Sequence, residues 1–191
     1  APVVLRVWAS QEALAANLLA DPGLGARMAA IEDVTERFAA KGGASSYTSN
    51  GIVYIPVVVN VLYKTTAENV SQAQIQSQID VLNADYSGTN SDINKVPSNF
   101  TAVKAGDVGV RFVLDHVIRK ATTKSSWRTN DAMKKSSQGG IDPTSPSTKM
   151  NMWYCTMRGG ILSYAQFPGG VSATYGVVIP HPPFVFHPAG P

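Results

Sequence analysis

The chain of 191 residues carries one cysteine and three histidines, and their surroundings limit the chemistry open to them. Cys155 sits beside Met152, Trp153 and Tyr154 with no second cysteine to pair with, so it reads as a small buried hydrophobe rather than an activated thiol. No histidine can be nominated from sequence as its base, and no G-x-S-x-G elbow offers a serine nucleophile. Phosphate-cradling loops of the G-x-x-x-x-G-K-[ST] or G-x-G-x-x-G kind are missing too, and the glycine pairs at 42–43, 139–140, 159–160 and 169–170 read as turns. H-E-x-x-H, which sets two imidazoles on one helix face around zinc, does not occur. His116, followed by Val117-Ile118-Arg119-Lys120, reads as a satisfied structural histidine on a strand. His181 and His187 stand among Pro180, Pro182, Pro183, Pro188 and Pro191, which forbid a shared helix. A metal between those two alone would lack the three or four ligands that zinc takes. Asp80 and Asp85 flank a helix end and read as solvated, whereas Asn60, inside an apolar run, must find partners and is either structural or part of a site. All 13 carboxylates lie at or before Asp142, so acid–base chemistry in the last 49 residues would borrow them from upstream. No catalytic residue and no metal ligand is therefore assigned.

The composition sets the frame for those residues. The length fits one domain, or one domain with an appendage. Charged residues make up 15% against roughly 25% in an average soluble protein. Apolar residues make up 44%, which excludes a disordered chain. A net charge of +3, scattered along the sequence, lacks the clustered basic stripe of a nucleic-acid binder. The longest apolar run, Ile52 to Val59, is interrupted by Pro56 and too short for a membrane span. Ala1 to Ala9, broken by Arg6, does not form a secretory signal, and a chain numbered from a cleavage point would look the same. Asn69-Val70-Ser71 and Asn99-Phe100-Thr101 are sequons of a kind that also arises by chance.

Ser10 is a good N-cap for a helix over Gln11 to Ala20, and Asp21-Pro22 restarts a second helix. Leu24, Met28, Ile31, Val34 and Phe38 give the second helix one apolar stripe, and Lys41-Gly42-Gly43 stops it. This defines a helical region over residues 1–43 and a linker over 44–51. Ile52 to Tyr63, continuously apolar and β-branched, predicts a strand buried on both faces of a parallel sheet. Ser71-Gln72-Ala73-Gln74 opens a helix whose stripe is Ile75, Ile79, Leu82 and Tyr86, and Gly88 ends it. Further strands are predicted over Val108–Ile118, Lys149–Met157, Ser163–Phe167 (a short edge strand between glycine turns) and Tyr175–Ile179. Residues 120–148 read as a long loop, functional or ornamental rather than core. Only one helix follows Ile52, so the second sheet face needs cover from the amino-terminal helices or from outside the chain.

Several of these stretches together resemble pappalysin-type (ulilysin-like) zinc metalloproteases, a branch of the metzincins. The strand Ile55-Pro56-Val57-Val58-Val59-Asn60-Val61-Leu62-Tyr63 is similar to that family's first strand. The segment from Gln74 to Tyr86 matches its backing helix closely. Gly139-Gly140 leading to Met150-Asn151-Met152-Trp153-Tyr154-Cys155, then Leu162-Ser163-Tyr164-Ala165-Gln166-Phe167-Pro168-Gly169-Gly170, then Tyr175-Gly176-Val177-Val178-Ile179 follow in the family's order. The helical region resembles a pro-segment, and the likeness covers about residues 4 to 179. The resemblance implies a twisted, mixed five-stranded α/β sheet, with four parallel strands, one antiparallel edge strand and a backing helix. It divides the chain into a pro-segment-like region (1–43), a linker (44–51), an upper subdomain (52–179) and a Pro-rich tail (180–191).

Family membership of this kind implies secretion and peptide-bond hydrolysis on zinc, with a peptide or protein as substrate. The zinc helix H-E-x-x-H-x-x-G-x-x-H and the Met-turn lie downstream of the Gly176-Val177-Val178-Ile179 strand in the family, and Pro180 to Pro191 resembles neither. This chain is accordingly expected to hold no zinc and to cleave nothing by itself. Two departures matter: Arg6-Val7-Trp8 has no zinc-blocking cysteine, so a thiolate latency switch is not carried over, and Asn60 stands where the family commonly has His. What carries over is the edge strand, whose residues Ile161, Leu162, Ser163, Tyr164, Ala165 and Gln166 would take up extended peptide by β-augmentation. An edge strand without any ligand satisfies the same residues. The alternatives are a peptide- or protein-binding module reusing that strand, and a self-assembling protein that associates through an uncovered apolar sheet face.

Overall fold

The computed structural model describes residues 7–40, 48–49 and 51–181. Within them lie β1 (Val7–Trp8), α1 (Ser10–Ala20), α2 (Leu24–Ala40), β2 (Thr48–Ser49), β3 (Ile52–Tyr63), α3 (Gln72–Ser87), β4 (Val110–Ala121), β5 (Met150–Cys155), β6 (Ile161–Ala165) and β7 (Val177–Pro180). The main sheet runs β4-β3-β5-β7-β6. Strands β4, β3, β5 and β7 are parallel, and β6 lies antiparallel to β7. The expected sheet of four parallel strands and one antiparallel edge strand is thus what forms. The short β2 adds antiparallel to the start of β3, and β1 pairs with the outer side of β6.

Strand β3 lies inside the sheet, between β4 and β5, because its β-branched run suits a pleated surface covered on both sides. Six successive residues, Val57 to Leu62, are buried. Val57, Val59 and Val61 face α3, packing with Ile75, Ile79, Phe112, Met152 and Tyr154. Ser71 caps α3 by accepting a hydrogen bond from the Gln74 amide at 3.1 Å, and Gly88 closes it in the left-handed region at φ +66°. Beside α3, Leu82, Met150, Met152, Leu162, Val177 and Ile179 line an open apolar concavity of about 310 Å³.

The opposite face gathers Leu62, Trp153, Cys155, Tyr164 and Val178 under Trp127, Ala132, Met133, Ile141, Ala9 and Ala13. Its cover therefore comes mainly from the long loop, with a contribution from the start of α1. The expectation that residues 120–148 are functional or ornamental rather than core is corrected: this loop supplies a core layer. Trp153 Nε1 donates to the Ile141 carbonyl at 2.9 Å, and the Ile141 amide donates to the Met133 carbonyl at 3.0 Å. The turn is so tight that a Cβ on Gly140 would fall 2.2 Å from the Met133 oxygen. Burying one side chain such as Trp127 or Met133 is worth roughly 1.5–3 kcal/mol, which offsets part of the entropy lost in ordering the loop.

Two local expectations change. Ser10 does not cap α1, since Ala9 precedes the helix and no side chain caps it; the Ser10 hydroxyl instead accepts from the Ala165 amide at 3.2 Å. His116 stands on β4 as a partnered strand histidine, exposed because β4 is the outermost parallel strand; its Nδ1 lies 2.6 Å from Asp115 Oδ2. The same carboxylate oxygen accepts from Lys149 Nζ at 2.6 Å. The stripe of α2 is mostly uncovered: Leu24 is buried, but Ile31, Val34 and Phe38 stay exposed.

Candidate peptide-binding edge

Strand β6 presents one side to β7 and the other outward. On the inner side Tyr164 pairs with Val178 and Ala165 with Val177. On the outer side β1 is already in place, parallel, with Val7 opposite Ile161 and Trp8 opposite Ser163. The Ala9 amide donates to the Ser163 carbonyl at 3.2 Å, and the Ala165 amide donates outward to Ser10 Oγ. Behind this contact, α2 begins at the turn that follows β6. Arg27 Nε donates to the Gly169 carbonyl at 2.7 Å and its guanidinium also pairs with Asp21. The outer side of β6, the edge named from the sequence, is thus occupied by a segment of the same chain. Ile161, Leu162, Ser163 and Ala165 are half-buried, Tyr164 is fully buried, and Gln166 follows directly after the strand. The Gln166 amide and the Thr174 hydroxyl lie 2.6 Å apart, closing the loop that leads into β7.

A buried polar group supports the strand from behind. Tyr164 Oη donates to Asp131 Oδ1 at 2.9 Å, and Lys134 Nζ lies 2.9 Å from the same oxygen. Lys134 has 0% exposure, donates to the Thr174 carbonyl at 2.7 Å, and stacks its ammonium 5.0 Å from the Tyr164 ring centre and 5.5 Å from that of Trp153. Burial lowers the Lys134 pKa, and Asp131 opposes that shift. Burial raises the Tyr164 pKa, and the Asp131 charge adds to the rise. The phenol therefore stays a donor. One carboxylate thereby ties the long loop, β6 and the 172–174 turn together. No periodicity marks Lys134, which in sequence looks like any solvated lysine of a polar loop.

The remaining candidates are dispersed. Asn60 is fully buried, and its Nδ2 donates to Asn151 Oδ1 at 3.5 Å; Asn151 also bonds both the amide and the carbonyl of Thr144 at 2.9 Å. Asn60 thus belongs to the cross-strand packing that fixes the loop ahead of β5. Cys155 has 0% exposure, and burial pushes its thiol well above the ordinary range. We expect it to remain unmodified by Ellman's reagent in the native protein and to react fully once unfolded; fast native labelling would contradict this packing. His181 is buried, with Nε2 donating to the Leu62 carbonyl at 2.7 Å and Nδ1 without a partner among the described residues. His187 lies outside the described residues.

Burial lowers the His181 pKa below 6.5, against smaller opposing contributions from the Leu62 carbonyl and Glu68. Between that depressed value and 6.5 the unfolded chain binds a proton that the folded chain refuses. Stability should therefore fall as the pH drops below 6.5, and be fully present above it. Thermal melts across this range check the point, because His181→Gln should flatten that part of the curve and leave the carboxylate-driven loss at lower pH.

Zinc does not fit what is described: no three His, Cys, Asp or Glu side chains converge to hold a metal ion among the described residues. No step through a metal is drawn from these residues. No helix among them is long and apolar enough to cross a membrane.

A mixed sheet of this order, with a backing helix and an antiparallel edge, is an architecture shared with metalloproteases. Among solved structures, the chain is similar to mature mirolysin of Tannerella forsythia in complex with a cleaved peptide, at 35% identity and a TM-score of 0.65 over 70% of this chain and 54% of that one. It is similar to mirolysin in complex with compound 9, at 35% identity and 0.64 over 68% and 53%. It is also similar to a Tannerella forsythia promirolysin mutant, at 29% identity and 0.74 over 92% and 58%. The chain thus spans just over half the length of the structures it matches. No family model and no curated protein matches it.

Proposed function

We propose that the chain is the amino-terminal portion of a secreted, zinc-dependent metalloendopeptidase of the ulilysin-like kind, a pro-segment followed by the upper half of the catalytic domain. In this reading β6 is the strand on which substrate peptide is laid. Ile161 to Gln166 offer backbone donors and acceptors, and the loop and Lys134 beneath keep the strand straight. The observation that carries the proposal is β1 on β6, an extended segment already using this edge in the way a peptide would. The pro-segment assignment draws support from coverage: the match reaches 70% of the chain for the mature enzyme and 92% for the pro-form. Zinc, in the intact enzyme, would supply water activation. The residues of this chain would bind and align the peptide, and alone would leave its bonds intact.

The test is saturable binding of extended peptides to the full chain, followed by fluorescence anisotropy. Ala165→Pro deletes an outward-facing donor without removing a bond to β7, since the Ala165 amide points to Ser10. Compared in a Ser10→Ala background, where the contact of Ser10 with that amide is already absent, binding should weaken about tenfold, the loss of one backbone hydrogen bond together with the clash of the ring. Unchanged binding would remove β6 from the reading.

A further inference from the structure

The start of the edge strand lies beside an unusual pair of cations. Trp127 forms a parallel bridge with Met157: its amide donates to the Thr156 carbonyl at 2.8 Å, and its carbonyl accepts from the Arg158 amide at 2.9 Å. Buried Trp127 anchors this register, which brings Arg128 alongside Arg158. The two arginines, with Thr129 and Ile161, line one shallow concavity of about 410 Å³, and Ile161 is the first residue of β6.

Other arginines of the described chain have partners. Arg27, Arg37 and Arg111 pair with Asp21, Asp33 and Asp107, and Arg119 bonds Asn69 Oδ1 and the Val70 carbonyl. Arg128 and Arg158 have neither an ion pair nor a side-chain hydrogen bond among the described residues, and those residues include all 13 carboxylates of the sequence. The nearby Asp131 is committed to Lys134 and Tyr164. A third cation, Lys124, sits 4.4 Å from the Trp127 ring centre and adds to the positive field. Both side chains are exposed, so water screens their mutual repulsion, and their charges stay available to an outside anion because no carboxylate of the described residues pairs with either. A guanidinium fork is shaped for a carboxylate.

We propose that Arg128 and Arg158 form a subsite for an acidic side chain, Asp or Glu, of a peptide laid along β6, at the end of the strand marked by Ile161. This rests on the reading of β6 as the peptide strand and adds a specificity to it. The subsite recognises charge at one position of the peptide, where the backbone ladder recognises only extension.

Labelled nine-residue peptides of one extended, β-prone sequence test this on the full chain, with a single Glu moved through every position and a Gln control for each. At one position Glu should bind about tenfold or more tightly than Gln, as charge-assisted bonds to arginine give. That preference should vanish in Arg128→Gln/Arg158→Gln, while the Gln peptide binds the variant as it binds the parent. It should also shrink as salt is raised. Equal binding of Glu and Gln everywhere would overturn the subsite and leave β6 as a sequence-neutral edge. A gain from Glu at all positions alike would overturn it in favour of a diffuse positive field. No binding by any peptide, either to the parent or to the chain loosened by Arg27→Ala with Ser10→Ala, would overturn the β6 reading, and the subsite with it.

Discussion

Asp131→Ala should lower the unfolding free energy by about 3–5 kcal/mol, the range expected when one partner of a buried ion pair is removed. The effect comes from what is left behind. Lys134 is completely buried, and without Asp131 its ammonium keeps only the Thr174 carbonyl and the faces of Tyr164 and Trp153. Tyr164 Oη loses its carboxylate acceptor in the same step. A domain of this size has only about 5–15 kcal/mol in total, so the variant should be marginal at room temperature. Lys134→Met is the informative contrast. Its unbranched side chain keeps the packing between the two rings and removes the charge, so it should be clearly less harmful than Asp131→Ala. Urea unfolding of both variants decides the matter. A loss under 1 kcal/mol for Asp131→Ala would mean that Lys134 finds water or sheds its proton, and that β6 is not pinned through this carboxylate.

That pin was hidden in the sequence, and the reason is physical. β3 was legible from Ile52 to Tyr63 because a continuous β-branched run has few homes other than the centre of a parallel sheet. The bounds of α3 were legible because a cap and a left-handed glycine are local chemistry, visible at Ser71 and Gly88. Residues 122–148 obeyed no period. Their anchors, Trp127, Met133 and Ile141, are single apolar residues scattered through a polar loop, and Lys134 is buried only because Asp131 and Thr174 meet it there. Ser10 shows the same limit from another side: a hydroxyl suited to capping is equally suited to accept from a strand, and only the fold decides. The edge strand was readable from its glycine boundaries. Its occupant was not, since the two residues of β1 are too few to carry a pattern. Nor does an apolar stripe announce its partner, which is why Ile31, Val34 and Phe38 look like core in sequence and stand exposed on α2.

If β1 and an incoming peptide compete for one edge, loosening the amino-terminal clamp should tighten peptide binding. The apparent dissociation constant is the intrinsic one divided by the fraction of molecules whose edge is open. Two side-chain contacts hold the clamp apart from the short β1 ladder: Arg27 on the Gly169 carbonyl, with Asp21 at its other end, and Ser10 Oγ on the Ala165 amide. Both contacts are at least partly open to solvent, so each is worth about 0.5–1 kcal/mol, and Arg27→Ala with Ser10→Ala should shift closure by about 1–2 kcal/mol. Neither substitution alters β6 or the loop beneath it. While the edge stays mostly closed, that shift appears as a gain in apparent affinity of about five- to thirtyfold, saturating once the edge is open in most molecules. The parent chain should bind weakly and slowly, the double variant tightly. Equal affinity in the two would show that β1 does not share its edge with the peptide, and would confine the amino-terminal segment to a structural role.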